Sequence, residues 1–162
     1  MNLSVETSVE CDSWRSIANL DALIGQCLAA ALAETDERLR EGAEVSLLFC
    51  DDARIRALNA QFRGMDKPTN VLSFPGPEPL ETAHVLGDIA IAYETVAREA
   101  VEQGKALPDH LCHLIVHGFL HLLGYDHETD EEAEAMEADE ARALQSMGIA
   151  DPYREPPTPE GH

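Results

Sequence analysis

Hydrophobic positions recur along the chain with two different spacings, and each spacing predicts a different kind of element. Alternating or short continuous apolar runs predict four strands, over residues 2–9, 45–50, 71–74 and 85–92. Apolar residues at helical spacing predict five helices, over residues 14–36, 53–62, 93–104, 108–123 and 129–147. Because strands and helices mix without strict βαβ alternation, we predict an α/β (α+β) fold in which about five helices pack on a small mixed sheet of about four strands.

Local signals mark the ends of two of these helices. Asp51 offers a side-chain oxygen that can cap the helix over 53–62. Pro108 suits the first turn of the helix over 108–123, and Gly124 suits the left-handed position that ends such a helix.

The composition is that of a soluble globular protein. Its 162 residues are 44% hydrophobic and 26% charged, a mixture that can bury a core. We predict one domain over residues 1–150 and a loosely ordered tail over 151–162, where four of the twelve residues are proline. The first residues lack a signal-peptide pattern, no apolar run approaches the ~18 residues of a membrane span, and the four cysteines are scattered. These features predict a cytoplasmic protein that does not associate with membranes.

Acidic residues dominate the charge of the chain. Asp and Glu number 31 against 11 Lys and Arg, which gives a formal net charge of −20. The long-range field of such a chain repels nucleic acids and anionic membranes, so any attraction for a polyanion has to be local. Nine of the acids lie between Asp126 and Glu140, and we interpret them as the solvated face of the helix over 129–147.

The helix over 108–123 carries a stripe of histidines on an otherwise apolar surface. His110, His113, His117 and His121 fall within roughly 80° of one another around the helix axis. A helix that is apolar on its other sides is buried nearly all round, and unpaired imidazoles in such a place cost a few kcal/mol each. Four aligned imidazoles therefore indicate a shared site.

The spacing of three histidines predicts a metal site. His117 and His121 lie four residues apart on adjacent turns, and Gly124 ends the helix so that His127 can reach a third corner. Three neutral imidazoles with an open fourth position form the site that catalytic zinc prefers. Nickel or copper would also accept this ligand set.

The other histidines of the stripe have less certain roles. A triad of His113, His117 and His121 would span roughly 12 Å along the helix, which is poor geometry for one ion. We place His113 beside the site, where a core or outer-shell role and a substrate contact remain equal alternatives. We expect His110 to lie at the surface or the start of the helix.

The spacing His117, His121, His127 is also that of the metzincin proteases, with one difference. Those enzymes carry a glutamate, their general base, directly after the first histidine, where this chain has Gly118. A metallopeptidase of zincin-like type therefore remains an alternative that lacks its usual base.

Four segments resemble the YbeY family of bacterial endoribonucleases. They are HGFLHLLGYDH over 117–127, LNAQFRGMDKPTNVLSFP over 58–75, LGDI over 86–89 and DPY over 151–153. The resemblance covers about residues 45–153. It implies a metal-dependent hydrolase with one Zn²⁺ per chain that cuts single-stranded RNA in small-subunit ribosomal RNA 3′ maturation and in ribosome quality control.

The resemblance also implies partners and one further catalytic residue. The partners are ribosomal RNA and the ribosome, reached through a small-subunit ribosomal protein or an assembly GTPase, with no DNA and no membrane. The catalytic residues are His117 and Arg63, which matches a functional arginine of the family. A non-catalytic ribosome-assembly factor with structural zinc remains a second alternative, which a fourth protein ligand would favour.

Four of the few basic residues lie close together in one segment, which could contact RNA. Arg54, Arg56, Arg63 and Lys67 lie within fourteen residues whose only acid is Asp66, so the segment has a net charge of +3. We call residues 54–67 the basic segment. Arg54, Arg56 and Lys67 are candidate RNA contacts, although solvent exposure explains the first two equally well.

The general base is the least determined part of the site. Asp126 precedes His127 and is chemically able to accept a proton, but orienting an imidazole or capping the next helix suits it better.

Overall fold

One four-stranded sheet organises the fold, which a computed structural model describes over residues 3–153. Its strands are β1 (Ser4–Val9), β2 (Glu44–Cys50), β3 (Val71–Pro75) and β4 (Val85–Ala92). Their order across the sheet is β1-β2-β4-β3, and only β3 runs antiparallel to its neighbour. The predicted α/β fold with a small mixed sheet is confirmed.

Over the residues that the structure describes, five α-helices accompany the sheet, as predicted. They are α1 (Leu20–Ala33), α2 (Asp52–Arg63), α3 (Tyr93–Glu102), α4 (Leu107–Leu122) and α5 (Asp130–Ser146). The Asp51 carboxylate accepts the Arg54 backbone N–H at 2.8 Å, and Gly124 takes a left-handed φ of 95° after α4. Both predicted helix boundaries therefore follow from their capping chemistry. Within residues 3–153, no helix is both long enough and apolar enough to cross a membrane.

The helix predicted over 14–36 is wrong in its first six residues. A 3₁₀ turn covers Asp12–Ser16, Asn19 takes a left-handed φ of 55°, and the α-helix begins only at Leu20. Trp14 accounts for the break, because its indole N–H donates to the carbonyl of Cys50 at 2.9 Å and its ring is fully buried. Ile17 is buried without being helical, so helical spacing alone could not locate the break.

The two faces of the sheet bury different amounts of apolar surface. Val45, Leu47 and Phe49 point from β2 into the main core, which α1, α3, α4 and α5 cover. Residues of the opposite parity, such as Leu48 and Cys50, point to the other face, where α2 packs over a smaller cluster. This alternation is the period of two from which the strand was predicted.

Helix α4 lies at the centre of the main core and packs closely on β3 and β4. The contact is closest at Gly118, whose carbonyl accepts the Ser73 hydroxyl at 3.0 Å. A Cβ atom at position 118 would lie 3.0 Å from Ile89 Cγ2 and 3.1 Å from Ser73 Oγ. The helix presents Gly118 to the sheet, whereas His113 and His117 contact Glu140 of α5.

We predict that Gly118→Ala destabilises the protein although alanine is the better helix former. Ile89 is fully buried and cannot move aside, so the added methyl group overpacks the interface at a cost of about 1–3 kcal/mol. The matched variant is Gly25→Ala in α1, where a Cβ atom meets nothing within 4 Å and the gain in helix propensity is about 0.5–1 kcal/mol. Urea unfolding measures the free energy of unfolding of both variants. A Gly118→Ala protein as stable as the Gly25→Ala protein would contradict this packing.

Candidate metal centre

Three imidazoles meet at the end of α4. His117 and His121 lie on adjacent turns, with their Nε2 atoms 3.1 Å apart. After Gly124 the chain turns back, and the His127 ring centroid lies 5.1 Å from that of His121 and 6.1 Å from that of His117. One nitrogen from each of the three rings lies within 4.8 Å of the other two. The structure thus brings together the three histidines that the sequence selected.

The other ring nitrogen of two of these histidines is held by a hydrogen-bond acceptor. His117 Nδ1 lies 2.7 Å from Glu140 Oε2, and His121 Nδ1 lies 2.9 Å from the carbonyl oxygen of Tyr125. A carbonyl or an ionised carboxylate can only accept, so both Nδ1 atoms carry the proton and donate it. Both Nε2 atoms then present lone pairs, as metal-ligating imidazoles with an outer hydrogen bond do.

This arrangement fits a divalent cation. Two lone pairs facing each other at 3.1 Å repel, and a positive ion between them removes that cost. Burial, followed by the neighbouring His117, lowers the pKa of His121, which favours the neutral ring that binds metal. The chemistry of the donor set therefore suits zinc and other borderline metals.

Glu140 is a site residue that sequence analysis missed. It lies in the acidic helix interpreted as solvated, yet its side chain is fully buried. Burial would raise the pKa of its carboxyl, but hydrogen bonds from His113 and His117 outweigh burial and hold the pKa at about 2. Glu140 follows the buried Met136 by four residues and precedes the buried Leu144 by four, so helical spacing could have marked it as a buried position, though not as a partner of His117.

The remaining histidines of the stripe lie outside the three-imidazole cluster. His113 Nε2 lies 3.0 Å from Glu140 Oε1 and 3.1 Å from the Tyr153 hydroxyl. His110 lies in the first turn of α4, one of its two expected places, but not at the surface, because it is 2% exposed and its Nε2 lies 2.9 Å from Glu99 Oε1. The surface alternative was wrong because α3 covers this part of α4, a contact that no local pattern encodes.

Tyr153 brings the end of the described chain to the site. Its hydroxyl donates to Glu140 Oε1 and its ring packs edge-on against His113, with centroids 5.4 Å apart. This residue lies in the tail predicted to be loosely ordered from position 151. The rest of that tail, residues 154–162, lies outside the described residues, so the predicted domain boundary stays a prediction.

Asp126 shapes the turn that carries His127. Its Oδ1 accepts the His127 backbone N–H at 2.8 Å and lies 3.8 Å from His127 Nδ1. The carboxylate is thus placed beside a candidate ligand, and its proposed alternative role as a base stays a prediction.

Arg63 is connected to α4 through a single residue of β3. Its Nη2 donates to the Ser73 carbonyl at 2.7 Å, and its guanidinium lies over the Phe74 ring, 5.6 Å from the centroid. The hydroxyl of the same Ser73 donates to the carbonyl of Gly118, next to His117. Two segments that are far apart in sequence, the end of α2 and the histidine helix, are therefore linked across one strand.

Carboxylates neutralise part of the basic segment. Arg54 pairs with Glu10 at 3.4 Å, and Arg56 pairs with Asp66 at 2.8 Å. Lys67 makes no ion pair with the residues that the structure describes, and Arg63 has only the neutral partners given above. The pairing with Glu10 was not predictable, because Glu10 follows β1, more than forty residues earlier in the chain.

The surroundings of Gly118 and the number of protein ligands bear on the two alternative functions, a zincin-like peptidase and a protein with structural zinc. A Cβ atom at position 118 would lie closer to Ile89 and Ser73 than van der Waals contact, so the position where metzincins carry their base has no room for a glutamate unless these neighbours shift. Among residues 3–153, no fourth His, Cys, Asp or Glu joins the three imidazoles, as a closed structural zinc site requires. Neither the peptidase nor the structural-zinc alternative gains support from this geometry.

Comparison with known proteins identifies a single family. The profile of the family described as "Endoribonuclease YbeY" matches residues 8–148. A protein of that name from Methylocella silvestris is 50% identical over 152 residues, which cover 94% of this chain and 86% of the relative. A protein of the same name from Chelativorans sp. is 53% identical over 153 residues, which cover 93% of each chain.

A solved structure agrees with the fold. The solution structure of TM1509 from Thermotoga maritima superposes with a TM-score of 0.56 at 25% sequence identity. The alignment covers 93% of this chain and 99% of the other. The similarity therefore extends over the sheet and all five helices, and is not confined to the histidine motif.

Proposed function

The chain belongs to the YbeY endoribonuclease family, and we propose that it is a zinc-dependent hydrolase that cleaves phosphodiester bonds of single-stranded RNA. We propose further that it acts in small-subunit ribosomal RNA 3′ maturation and in ribosome quality control. The observation that carries the proposal is the convergence of His117, His121 and His127, with two Nδ1 protons held by acceptors, in a chain that matches the family over residues 8–148.

The three imidazoles would hold one Zn²⁺ per chain, which when bound lowers the pKa of water toward ~7 or polarises a phosphate oxygen. Glu140 and the Tyr125 carbonyl keep two of the rings in the ligating tautomer. The His127 side chain is 57% exposed, so the cluster opens to solvent on that side, as a substrate-accessible site requires.

Arg63 would bind the phosphoryl group during cleavage. A guanidinium has five N–H donors, and the contact with Ser73 engages one of its nitrogens, which leaves donors for phosphate oxygens. The bond to Ser73 and the contact with Phe74 hold the group in place before substrate arrives. Such preorganised charge stabilises a transition state more than charge that must move into position.

Recruitment to the ribosome would come from protein contacts. With a net charge of −20 and two of four cations of the basic segment paired, the protein has little surface that attracts RNA at long range. We propose a small-subunit ribosomal protein or an assembly GTPase in the cytoplasm as the partner.

The metal assignment predicts a sharp difference between two histidine variants. His121→Ala removes one of three ligands, so bound zinc falls well below one equivalent and RNA cleavage is lost. His84→Ala is the control, because His84 is exposed and lies outside the cluster. Metal analysis of the purified proteins measures the zinc bound per chain. Assays on single-stranded RNA, with and without chelator, measure the cleavage. Full metal retention in His121→Ala would contradict the assignment.

Arg63 is expected to act independently of the metal. Arg63→Ala keeps the metal and the fold but loses most of the RNA cleavage, because the variant lacks only the positive charge that would stabilise the phosphoryl oxygens. Arg63→Lys recovers part of the rate, since a point charge does not reproduce the planar fork. Rate measurements at saturating metal separate the variants. A wild-type rate in Arg63→Ala would remove Arg63 from the mechanism.

Binding of free RNA is expected to be weak and to depend little on salt. With at most four cations in contact, the slope of log K against log salt for single-stranded RNA is no steeper than about −3. Lys67→Ala makes the slope shallower by about 0.7, whereas Arg15→Ala, a cation paired with Asp12 outside the basic segment, leaves it unchanged. Titrations of chelator-treated protein at several salt concentrations measure this. Tight binding with a steeper slope would contradict the need for a recruiting partner.

A further inference from the structure

The Glu140 carboxylate receives donors from two separate parts of the chain. His113 and His117 reach it from α4, and Tyr153 reaches it from the segment that follows α5. Oε1 takes the contacts with His113 and Tyr153, and Oε2 takes the contact with His117 alone. Only His117 among the donors belongs to the three-imidazole cluster.

We infer that Tyr153 and His113 are positioning residues that act through Glu140 on the metal ligand His117. This inference rests on the proposed metal site. Two donors on Oε1 fix the plane of the carboxylate and so aim Oε2 at His117 Nδ1. The direction of that hydrogen bond sets the orientation and the tautomer of the His117 ring, and with them the direction of its Nε2 lone pair.

The geometry explains why more than one donor is needed. A buried carboxylate with a single partner is costly, and it gains by rotating toward any other donor or toward water. Water is close, because Tyr153 and His113 border an open cleft of about 1030 Å³ between the end of α5 and the loop before α4. The Tyr153 hydroxyl occupies the position on Oε1 that water would otherwise take, and it keeps the carboxylate engaged with both histidines.

A second interpretation of the same residues is a second metal site. One ligating atom each of His113, His117 and Glu140 lies within 4.8 Å of the others. The two histidine–carboxylate distances, 3.0 and 2.7 Å, are those of ordinary hydrogen bonds, and a ring proton satisfies each. We therefore expect one metal per chain, with Glu140 outside its coordination sphere.

Binding of Co²⁺ to the full-length protein tests the inference, with affinity measured by chelator competition and coordination by visible absorption. Glu140→Gln weakens Co²⁺ binding about 10–100-fold, and Tyr153→Phe weakens it on the order of fivefold. Both variants alter the Co²⁺ spectrum, because the His117 ring turns. His113→Ala also weakens binding, by an amount similar to that of Tyr153→Phe.

Two matched variants serve as controls. Glu99→Gln breaks the same kind of histidine–carboxylate contact on the same helix, but at His110, which lies outside the cluster. Tyr93→Phe removes a tyrosine hydroxyl from a ring that packs on Trp14. Both bind Co²⁺ with wild-type affinity and spectrum.

A double variant separates a role through Glu140 from a general structural role. In the Glu140→Gln background, Tyr153→Phe produces no further loss of affinity, because an amide has one accepting oxygen and cannot accept from Tyr153 on one side and from His117 on the other. Wild-type Co²⁺ affinity and spectrum in both Tyr153→Phe and Glu140→Gln would overturn the inference. Additive losses of Co²⁺ affinity in the double variant would also overturn it. So would two equivalents of Co²⁺ per wild-type chain that fall to one in Glu140→Gln. A wild-type protein that binds no Co²⁺ would instead refute the proposed metal site itself.

Discussion

The hydrogen bond between His117 Nδ1 and Glu140 is the interaction on which the site depends. It joins α4 to α5 inside the core, and it assigns the single ring proton of a neutral His117 to the side away from His121. With the Tyr125 carbonyl acting in the same way on His121, two imidazoles turn their lone pairs toward each other. The low pKa of Glu140 means that the carboxylate stays an acceptor at neutral pH. The capacity of the cluster to hold a metal ion thus originates in hydrogen-bond partners outside it.

The packing of α4 on the sheet links a second functional group, the Arg63 side chain, to the histidine helix. Gly118 allows the helix to approach β3 until its carbonyl accepts the Ser73 hydroxyl, and the carbonyl of Ser73 holds Arg63. One glycine therefore has two consequences. It excludes the glutamate base of a zincin-like peptidase, and it connects an arginine suited to phosphate with the histidine helix.

The sequence predicts the parts of this site that local geometry determines. His117, His121 and His127 follow from helical spacing and the left-handed Gly124, and both features lie within eleven residues. Glu140 and Tyr153 could not be assigned to the site, because the contacts of α5 and the tail with α4 are tertiary. The same holds for the burial of His110 under α3 and for the pairing of Arg54 with Glu10, which reduces the charge expected of the basic segment.

In the proposed function, the acceptors on two of the rings make His117, His121 and His127 the complete set of protein ligands to one zinc ion. X-ray absorption at the zinc edge of the metal-loaded, full-length protein tests this most directly. We expect three imidazole nitrogens at about 2.0–2.1 Å, one further light atom and no sulfur. His127→Ala should reduce the imidazole count to two. A site with four protein ligands, a thiolate at about 2.3 Å, or three imidazoles that persist in His127→Ala would contradict it.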